Sequence, residues 1–378
     1  MKNIACTVLF VIFMICCAAA GVASETDAHK NGMALINLFK NKKKKTRVAV
    51  VKEMLKKTTD FDCRGCYDYP VLDCAIYHTD NPQIVDALIK AGADVNTQAG
   101  QDTSLHRAAL HNARPEIIDK LIKIGTDVNT TNDFNWTPLF YGTRSPETMK
   151  FLINAGANVN VRDTEDLTPL MTSAISLHST EFIETLVRAG ADVNARSSKT
   201  GRTAFLIAAE HNENIEIFSE LARMGADIHA RNHSGMTALM EAIKYGNSIK
   251  VIHHLADMGI DLNAADKTGK TTLMYAAVCG NNTIVNFLLK RGADVNARDN
   301  DGKTALMYAA TVCKDNSDMA FRRKSFTYAV NKLLKAGADR TIKDNASKTA
   351  FDYATEQAHL RDTDACKRLK LGVSKSKP

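Results

Sequence analysis

RGADVNARDNDGKTALMYAA, residues Arg291 to Ala310, is the stretch that decides the fold, because most of the chain consists of approximate copies of it. Gly292 can adopt the left-handed backbone conformation that ends a helix. The polar residues from Asn296 to Gly302 tolerate a tight reversal of the chain. Thr304 then lies where a hydroxyl can cap a new helix, and Leu306 follows on its apolar face. The stretch therefore predicts a helix end, a turn and a helix start.

Two parts of this stretch recur along the chain and stay in phase with each other. The glycine recurs at steps of 31 to 35 residues and a last step of 45, namely at Gly92, Gly125, Gly156, Gly190, Gly225, Gly259, Gly292 and Gly337. The helix start recurs as TSLH, TPLF, TPLM, TAFL, TALM, TTLM and TALM, from Thr103, Thr137, Thr168, Thr203, Thr237, Thr271 and Thr304. The chain is therefore an internal repeat.

A period near 33 with G-A-D-V-N and helix starts of the T-P-L-H-x-A type resembles the ankyrin repeat family. The resemblance implies an all-α repeat solenoid of helix-turn-helix units joined by β-hairpin-like turns. Each paired helix is too short to be stable alone, so neighbouring repeats must supply the core.

The repeats suggest the following division of the chain. We predict a signal peptide at residues 1–24, an N-terminal capping repeat at 25–66, an array of about eight repeats at 67–344, a C-terminal capping repeat at 345–372 and a disordered tail at 373–378. Met33 to Phe39 and Val48 to Leu55 are predicted to be the helices of the first cap. Lys314 to Ser325 is predicted to be an insertion between paired helices, because it accounts for the long last step.

The N-terminus resembles a secretory leader. Lys2 precedes an uninterrupted run of apolar or small residues from Ile4 to Ala23, which ends in small residues before Glu25. We therefore predict an exported protein, periplasmic or secreted. The alternative is a membrane anchor through residues 4–23, since the run is just long enough to span a bilayer uncleaved.

Composition and motifs indicate a protein without chemistry of its own. The formal charge of +7 is mild for 378 residues and requires no nucleic-acid partner. The chain has no metalloprotease, phosphate-loop or nucleophile-elbow motif, so we predict no enzyme activity, no cofactor and no metal. Cys63 and Cys66 are candidates for a local disulfide. A redox role for the pair is a less favoured alternative.

The resemblance implies a binding surface on the hairpin tips and the exposed residues of the first helices. The corresponding positions of the N-terminal repeats are aromatic or histidine, and those of the C-terminal repeats are mostly basic. The predicted contacts are Tyr67, Tyr69, Tyr77, His111, Phe134 and Trp136, followed by Arg202, Met236, Tyr245, Lys267, Lys270 and Lys303.

This pattern predicts a monomeric, non-catalytic scaffold for a protein partner that presents an apolar anchor and an acidic segment. Two alternatives stay open at the level of residues. Phe134 and Trp136 could instead pack on the adjacent hairpin, and the lysines could form a solvated face. An alternative at the level of function is an effector that is delivered into a host cell and binds host proteins.

Overall fold

The computed structural model describes residues 27–40, 48–64, 69–79, 81–97, 101–111, 114–142, 145–175, 179–311, 319–357 and 359–370. The chain divides into two compact units, residues 1–165 and 166–378, called here the N-terminal unit and the C-terminal unit. The predicted signal peptide and C-terminal tail lie outside the described residues, as do Cys66 and Tyr67.

The N-terminal unit contains four pairs of helices among its described residues. They are α1 Asp27–Lys40, α2 Val48–Leu55, α3 Val71–His78, α4 Pro82–Lys90, α5 Ser104–Leu110, α6 Pro115–Lys123, α7 Pro138–Tyr141 and α8 Pro146–Asn154. First helices pack on first helices and second helices on second helices, from α1 and α2 onward. The pair α1–α2 therefore stacks on α3–α4 as a repeat would.

The C-terminal unit continues the same pattern with six pairs. They are α9 Pro169–Ile175, α10 Glu181–Arg188, α11 Ala204–His211, α12 Ile215–Arg223, α13 Ala238–Lys244, α14 Ile249–Asp257, α15 Thr272–Val278, α16 Asn282–Lys290, α17 Ala305–Ala310, α18 Met319–Lys335, α19 Ala350–Glu356 and α20 Asp364–Leu369. The described residues form no strand, and an isolated bridge joins Ala265 to Thr271. The predicted all-α repeat architecture is confirmed.

The core of each unit lies within its helix pairs and between neighbouring pairs. In the C-terminal unit Phe205 of α11 meets Phe218 of α12 edge to face at 5.6 Å, and both side chains are fully buried. Burying one such ring contributes roughly 1.5–3 kcal/mol, which is more than a nine-residue helix gains from its own propensity. Packing therefore holds these short helices in place.

Side-chain caps set where the helices begin. The Thr237 hydroxyl accepts from the Met240 amide at the start of α13, and the Ser248 hydroxyl accepts from the Val251 amide at the start of α14. Each cap satisfies an amide that the first helical turn leaves without a backbone partner. The predicted role of the repeated threonine is confirmed where such a bond forms.

Backbone and asparagine bonds tie each hairpin tip to the next. The Lys267 amide donates to the Ser234 carbonyl at 2.9 Å, and the Asn300 amide donates to the Thr268 carbonyl at 3.0 Å. The Asn194 side chain adds a second tie, because it donates to the Gly225 carbonyl and accepts from the Asp227 amide. The equivalent bonds of other repeats involve Asn129 and Asn296.

Substitutions at two glycines distinguish the destabilisation caused by backbone conformation from that caused by a lost contact between hairpin tips. Gly269 has φ +82°, and an added Cβ would lie 2.7 Å from the Asn300 amide nitrogen. Gly259 has φ +90° with nothing within 4 Å of that position. We expect Gly259→Ala to cost about 1 kcal/mol through its backbone alone. Gly269→Ala should cost about 2–3 kcal/mol, because the Asn300 bond is lost as well.

Chemical denaturation of the two variants checks this prediction, together with hydrogen exchange at the Asn300 amide. Faster exchange is expected in Gly269→Ala alone. Equal costs in the two variants would show that the tips do not contact each other in solution.

Two predicted boundaries differ from the structure. Helix α1 begins at Asp27, six residues before the predicted Met33, so the first helix of the cap is longer than expected. The predicted insertion is partly helical, because α18 begins at Met319 and runs for 17 residues, against nine in α16. Ser325 donates to the Gly280 carbonyl at 2.6 Å and Phe326 is 5% exposed, so the end of the insertion packs on the preceding repeat.

Candidate protein-binding surfaces

A row of tyrosines lies on the first helices of the C-terminal unit. In three successive repeats the phenol donates to an aspartate nine residues earlier, at 2.6 Å from Tyr275, 2.5 Å from Tyr308 and 2.5 Å from Tyr353. Burial and the adjacent carboxylate raise the pKa of each phenol. The hydroxyls are therefore fixed as neutral donors, and each ring is held in one orientation.

Lysines lie over these rings. The Nζ atom of Lys270 is 5.0 Å from the centre of the Tyr308 ring, and that of Lys303 is 5.6 Å from the Tyr353 ring. Each lysine directly precedes the capping threonine of its own repeat and reaches the ring of the next repeat. Such cation–π contacts contribute roughly 0.5–1 kcal/mol at exposed sites and hold the ammonium groups on the surface.

The lysines differ in how far their charge is already balanced. Lys348 pairs with Glu356 at 2.6 Å, and Lys303 lies 3.7 Å from the exposed Asp301. Within the described part of the chain Lys267 and Lys270 form no ion pair. Lys267, Lys270 and Lys303, with Tyr275, Tyr308 and Tyr353, are called here the lysine–tyrosine surface.

Two of the predicted contact residues of the C-terminal unit are engaged by other residues of the protein. Arg202 pairs with Glu241 at 3.0 Å and with Glu210 at 2.9 Å, and it also donates to the Tyr245 hydroxyl. Its charge is therefore balanced within the protein. Met236 is 2% exposed and belongs to the core. Its predicted role as a surface contact is therefore wrong.

Tyr245 remains a surface residue, with 45% of its area exposed. The Nζ atom of Lys244 lies 5.0 Å from its ring centre. The ring is thus partly covered by a cation from its own helix.

The predicted aromatic contacts of the N-terminal unit fall into two groups. Tyr77 is 40% exposed, and its ring meets that of His111 edge to face at 4.4 Å. Tyr69 is only 5% exposed and lies beneath the Arg107 guanidinium at 4.0 Å. Tyr69 is therefore part of the interior, which corrects its predicted place on the surface.

Trp136 is half-buried and is held by its neighbours. Its ring stacks on Phe140 at 5.6 Å, and its indole N–H donates to Asp163 at 3.1 Å. The interpretation that it supports the shortened repeat agrees with these contacts. Phe134 is different, because 51% of it is exposed at the hairpin tip.

The comparison with protein families decides the assignment. A profile described as Ankyrin repeats (3 copies) matches residues 105–197, 183–266, 205–299 and 261–320, which together span more than half of the chain. The chain belongs to the ankyrin repeat family. A second profile, Ankyrin repeats (many copies), matches residues 72–122. Ankyrin repeats generally serve as protein–protein interaction modules, and the family is generally non-catalytic.

A curated relative shares part of the ankyrin array. The chain is 31% identical over 84 residues to the Ankyrin repeat and SOCS box protein 6 of Mus musculus. The alignment covers 22% of this chain and 20% of the mouse protein. The similarity is therefore one of repeats, since it spans only a fifth of the relative.

Cys63 has the properties of a packed residue of this ankyrin protein. It is 3% exposed, and burial with the nearby Asp60 carboxylate raises the pKa of its thiol to about 11. Only a thiolate is nucleophilic, so this environment disfavours the redox alternative. The predicted bond to Cys66 is not tested, because Cys66 lies outside the described residues.

A buried ion pair joins the first helices of two ankyrin repeats in the N-terminal unit. Arg107 Nε lies 2.7 Å from the Asp73 carboxylate, and Ser104 donates to the same group at 2.5 Å. Asp73 is fully buried and Arg107 is 2% exposed. Burial raises the pKa of Asp73 to about 6, although the Arg107 charge opposes the shift. The pair fills a core position that is closed to a ligand.

Sequence reasoning missed Lys348 and the three tyrosines of the row. The sequence does contain a pattern that indicates the tyrosines. TTLMY, TALMY and TAFDY place a tyrosine four residues after the capping threonine in consecutive repeats. Lys348 precedes Thr349 as Lys303 precedes Thr304. A search for same-register residues at every offset would have found both.

The described residues provide neither a metal-binding cluster nor a membrane-spanning helix. They contain no group of three or more His, Cys, Asp or Glu side chains that could hold a metal ion. None of their helices combines the length and the apolar character that crossing a membrane requires.

Proposed function

We propose that this ankyrin repeat protein is a non-catalytic scaffold whose lysine–tyrosine surface binds an acidic segment of a partner protein. The observation that carries the proposal is the same-register placement of Lys270 and Lys303 over the tyrosine rings of the following repeats. A row of fixed cations on an aromatic surface suits carboxylates that alternate with apolar side chains.

The internal pairing of nearby charges supports this choice of surface. Asp266 accepts from Tyr275 and from the Thr268 hydroxyl and amide, so its carboxylate is occupied by its own repeat. The Lys270 ammonium has no such partner in the described residues. An incoming carboxylate therefore meets a cation that it does not have to detach from an ion pair.

Export is a further part of the proposal. It is supported by Lys2 and the apolar run from Ile4 to Ala23. Deletion of residues 1–24 is expected to retain the protein in the cell that makes it. Delivery that continues without these residues would favour the host-cell effector, and membrane retention of the full chain would favour the anchor at residues 4–23.

Charge reversal tests the surface with a defined probe. The probe is a fluorescein-labelled peptide in which glutamates alternate with leucines, and its affinity is measured by fluorescence anisotropy at low salt. The triple variant Lys267→Glu, Lys270→Glu, Lys303→Glu is expected to bind at least about tenfold more weakly, since it replaces three attractions by repulsions. Added salt should weaken wild-type binding.

The matched control carries the same charge change at exposed positions of the second helices, namely Lys250→Glu, Lys290→Glu and Lys335→Glu. The control variant should bind the glutamate–leucine peptide nearly as the wild type does. A peptide with glutamine in place of glutamate should bind neither the wild type nor the control. Equal losses in the two triple variants would show a net-charge effect only, and the proposed surface would be abandoned.

A further inference from the structure

An open hollow lies between the last full repeat and the C-terminal helix pair. Its volume is about 470 Å³, and its lining residues are Leu334, Ala338, Asp339, Arg340, Thr341 and Arg368. Leu334 and Ala338 give it apolar surface, and the two arginines give it cationic groups. None of these residues belongs to the lysine–tyrosine surface.

The hollow exists where this repeat departs from all the others. Arg340 stands three residues after the repeated glycine, a position that is aliphatic in every preceding repeat. The equivalent residues are Val95, Val128, Val159, Val193, Ile228, Leu262 and Val295. Each of them is buried or half-buried. An arginine thus takes the place of a core residue.

Hydrogen bonds fix both arginines in place. One terminal nitrogen of Arg340, Nη1, donates to the Arg368 carbonyl at 2.8 Å, near the C-terminus of α20. Nη1 of Arg368 donates to the Asn331 side chain at 3.0 Å. Each guanidinium has five N–H groups, so donors remain on both. The bonds orient the side chains without using their capacity.

The charges of the hollow are not balanced internally. Neither arginine forms an ion pair within the part of the chain that the structure describes. Asp339 also lines the hollow, but its carboxylate accepts from the Thr341 hydroxyl at 2.6 Å and from the Thr341 amide. The hollow is therefore lined by two oriented guanidiniums and by one carboxylate, of which one oxygen is engaged with Thr341.

We propose that this hollow is a binding site for a carboxylate carried next to an apolar group. The two guanidiniums would hold the carboxylate by paired N–H···O bonds, a geometry that arginine offers and lysine does not. The apolar group would lie on Leu334 and Ala338. The volume admits one or two amino-acid residues, so the shared chemistry is met by a chain-terminal leucine or by an internal glutamate beside a leucine.

Short peptides distinguish these sources, with binding to the full chain measured by isothermal titration calorimetry. The probes are acetyl-Leu-Leu with a free carboxylate, the same dipeptide as its amide, and acetyl-Glu-Leu-amide. We expect one of the two carboxylate peptides to bind at least tenfold more tightly than the amide. Inorganic phosphate is a fourth probe, and binding of phosphate without either carboxylate peptide would mean an adventitious ion only.

Arg340→Val is the decisive variant, because it restores the aliphatic residue of the other repeats and should fold. It is expected to abolish binding by removing a cation and its N–H donors from the hollow. Arg368→Gln should weaken binding at least tenfold. The matched control is Lys335→Gln, which removes an exposed positive charge on α18 and should leave binding unchanged.

Two results would overturn the proposal. The first is binding of the carboxylate peptides that Arg340→Val leaves intact, and the second is no binding of either carboxylate peptide to the wild-type chain. Far-ultraviolet circular dichroism and thermal unfolding check that each variant is folded.

Discussion

Arg107→Ala is expected to destabilise the N-terminal unit by about 3–5 kcal/mol, because it leaves the fully buried Asp73 carboxylate without its partner. Removing one member of a buried pair exposes the full desolvation cost of the other. The chain has a single tryptophan, Trp136, and it belongs to this unit. Urea unfolding followed by tryptophan fluorescence therefore reports on the N-terminal unit.

The loss should depend on pH. Burial holds the pKa of Asp73 at about 6, above the value of about 3.9 for an unfolded aspartate, and the Arg107 charge is the largest of the influences that oppose this shift. Without Arg107 the folded pKa rises further. A raised folded pKa gives stability that is complete below the unfolded pKa and is lost as pH rises through the folded one. The gap between variant and wild type should therefore widen from pH 5 to pH 8.

The double variant Asp73→Leu, Arg107→Met separates charge from packing. It removes both charges and keeps apolar volume, so it should recover most of the stability that Arg107→Ala loses. A cost below about 1 kcal/mol for Arg107→Ala at pH 7 would contradict the burial of the pair. A loss that is the same at pH 5 and pH 8 would contradict the role of the Asp73 charge.

Asn247→Ala is expected to destabilise the C-terminal unit by about 2–4 kcal/mol. The Asn247 side chain is 9% exposed and donates to the Ala209 and Asn212 carbonyls, both at 2.9 Å. Alanine leaves both carbonyls without this donor, and each unsatisfied buried group costs about 1–3 kcal/mol. Because the bonds join α11 to the turn after α13, the two repeats should also separate more readily.

Hydrogen exchange within α11 and α13, together with chemical denaturation, measures both effects. The control is Asn263→Ala, which also removes a bond between repeats, from the Asp294 amide, but at an exposed position where water can replace it. It should cost less than about 1 kcal/mol. Similar costs for the two substitutions would show that burial does not decide the strength of these ties.

The repeat architecture was predictable because its signals are local. A glycine that ends a helix and a threonine that begins one act within a few residues, and their period exposes the array without any knowledge of packing. The helices of α16 and α17 fall where the spacing from Gly292 to Thr304 predicts them. The start of α18 was missed because the long insertion carries no such signal before Met319.

The surface was predictable in register but not in detail. Arg202, Lys270 and Lys303 occupy the same position before the capping threonine, yet only Arg202 is balanced by two carboxylates. Glu241, one of the two, stands four residues after Thr237, where the following repeats have tyrosine. Whether a basic residue faces solvent or an ion pair thus depends on the next repeat, which a single motif does not contain.

The repeat motif also did not predict which side chains are buried. Met236 and Trp136 occupy the same position, directly before the capping threonine. Met236 is a core residue, whereas Trp136 is half-buried. Their environments differ because Trp136 stacks on Phe140, whereas Met236 packs with Met240 and Ala264. Packing between repeats assigns these roles.

The asparagine ties between hairpin tips have a consequence for how such a chain can change in length. Asn194 reaches only as far as Gly225 and Asp227 of the following repeat, and Asn296 only as far as Gly337 and Asp339. Asn129 uses the same two positions of its following repeat, Gly156 and Asn158. Duplication of a whole repeat that carries this asparagine therefore recreates both bonds at the new junction, while a gain or loss of part of such a repeat breaks them.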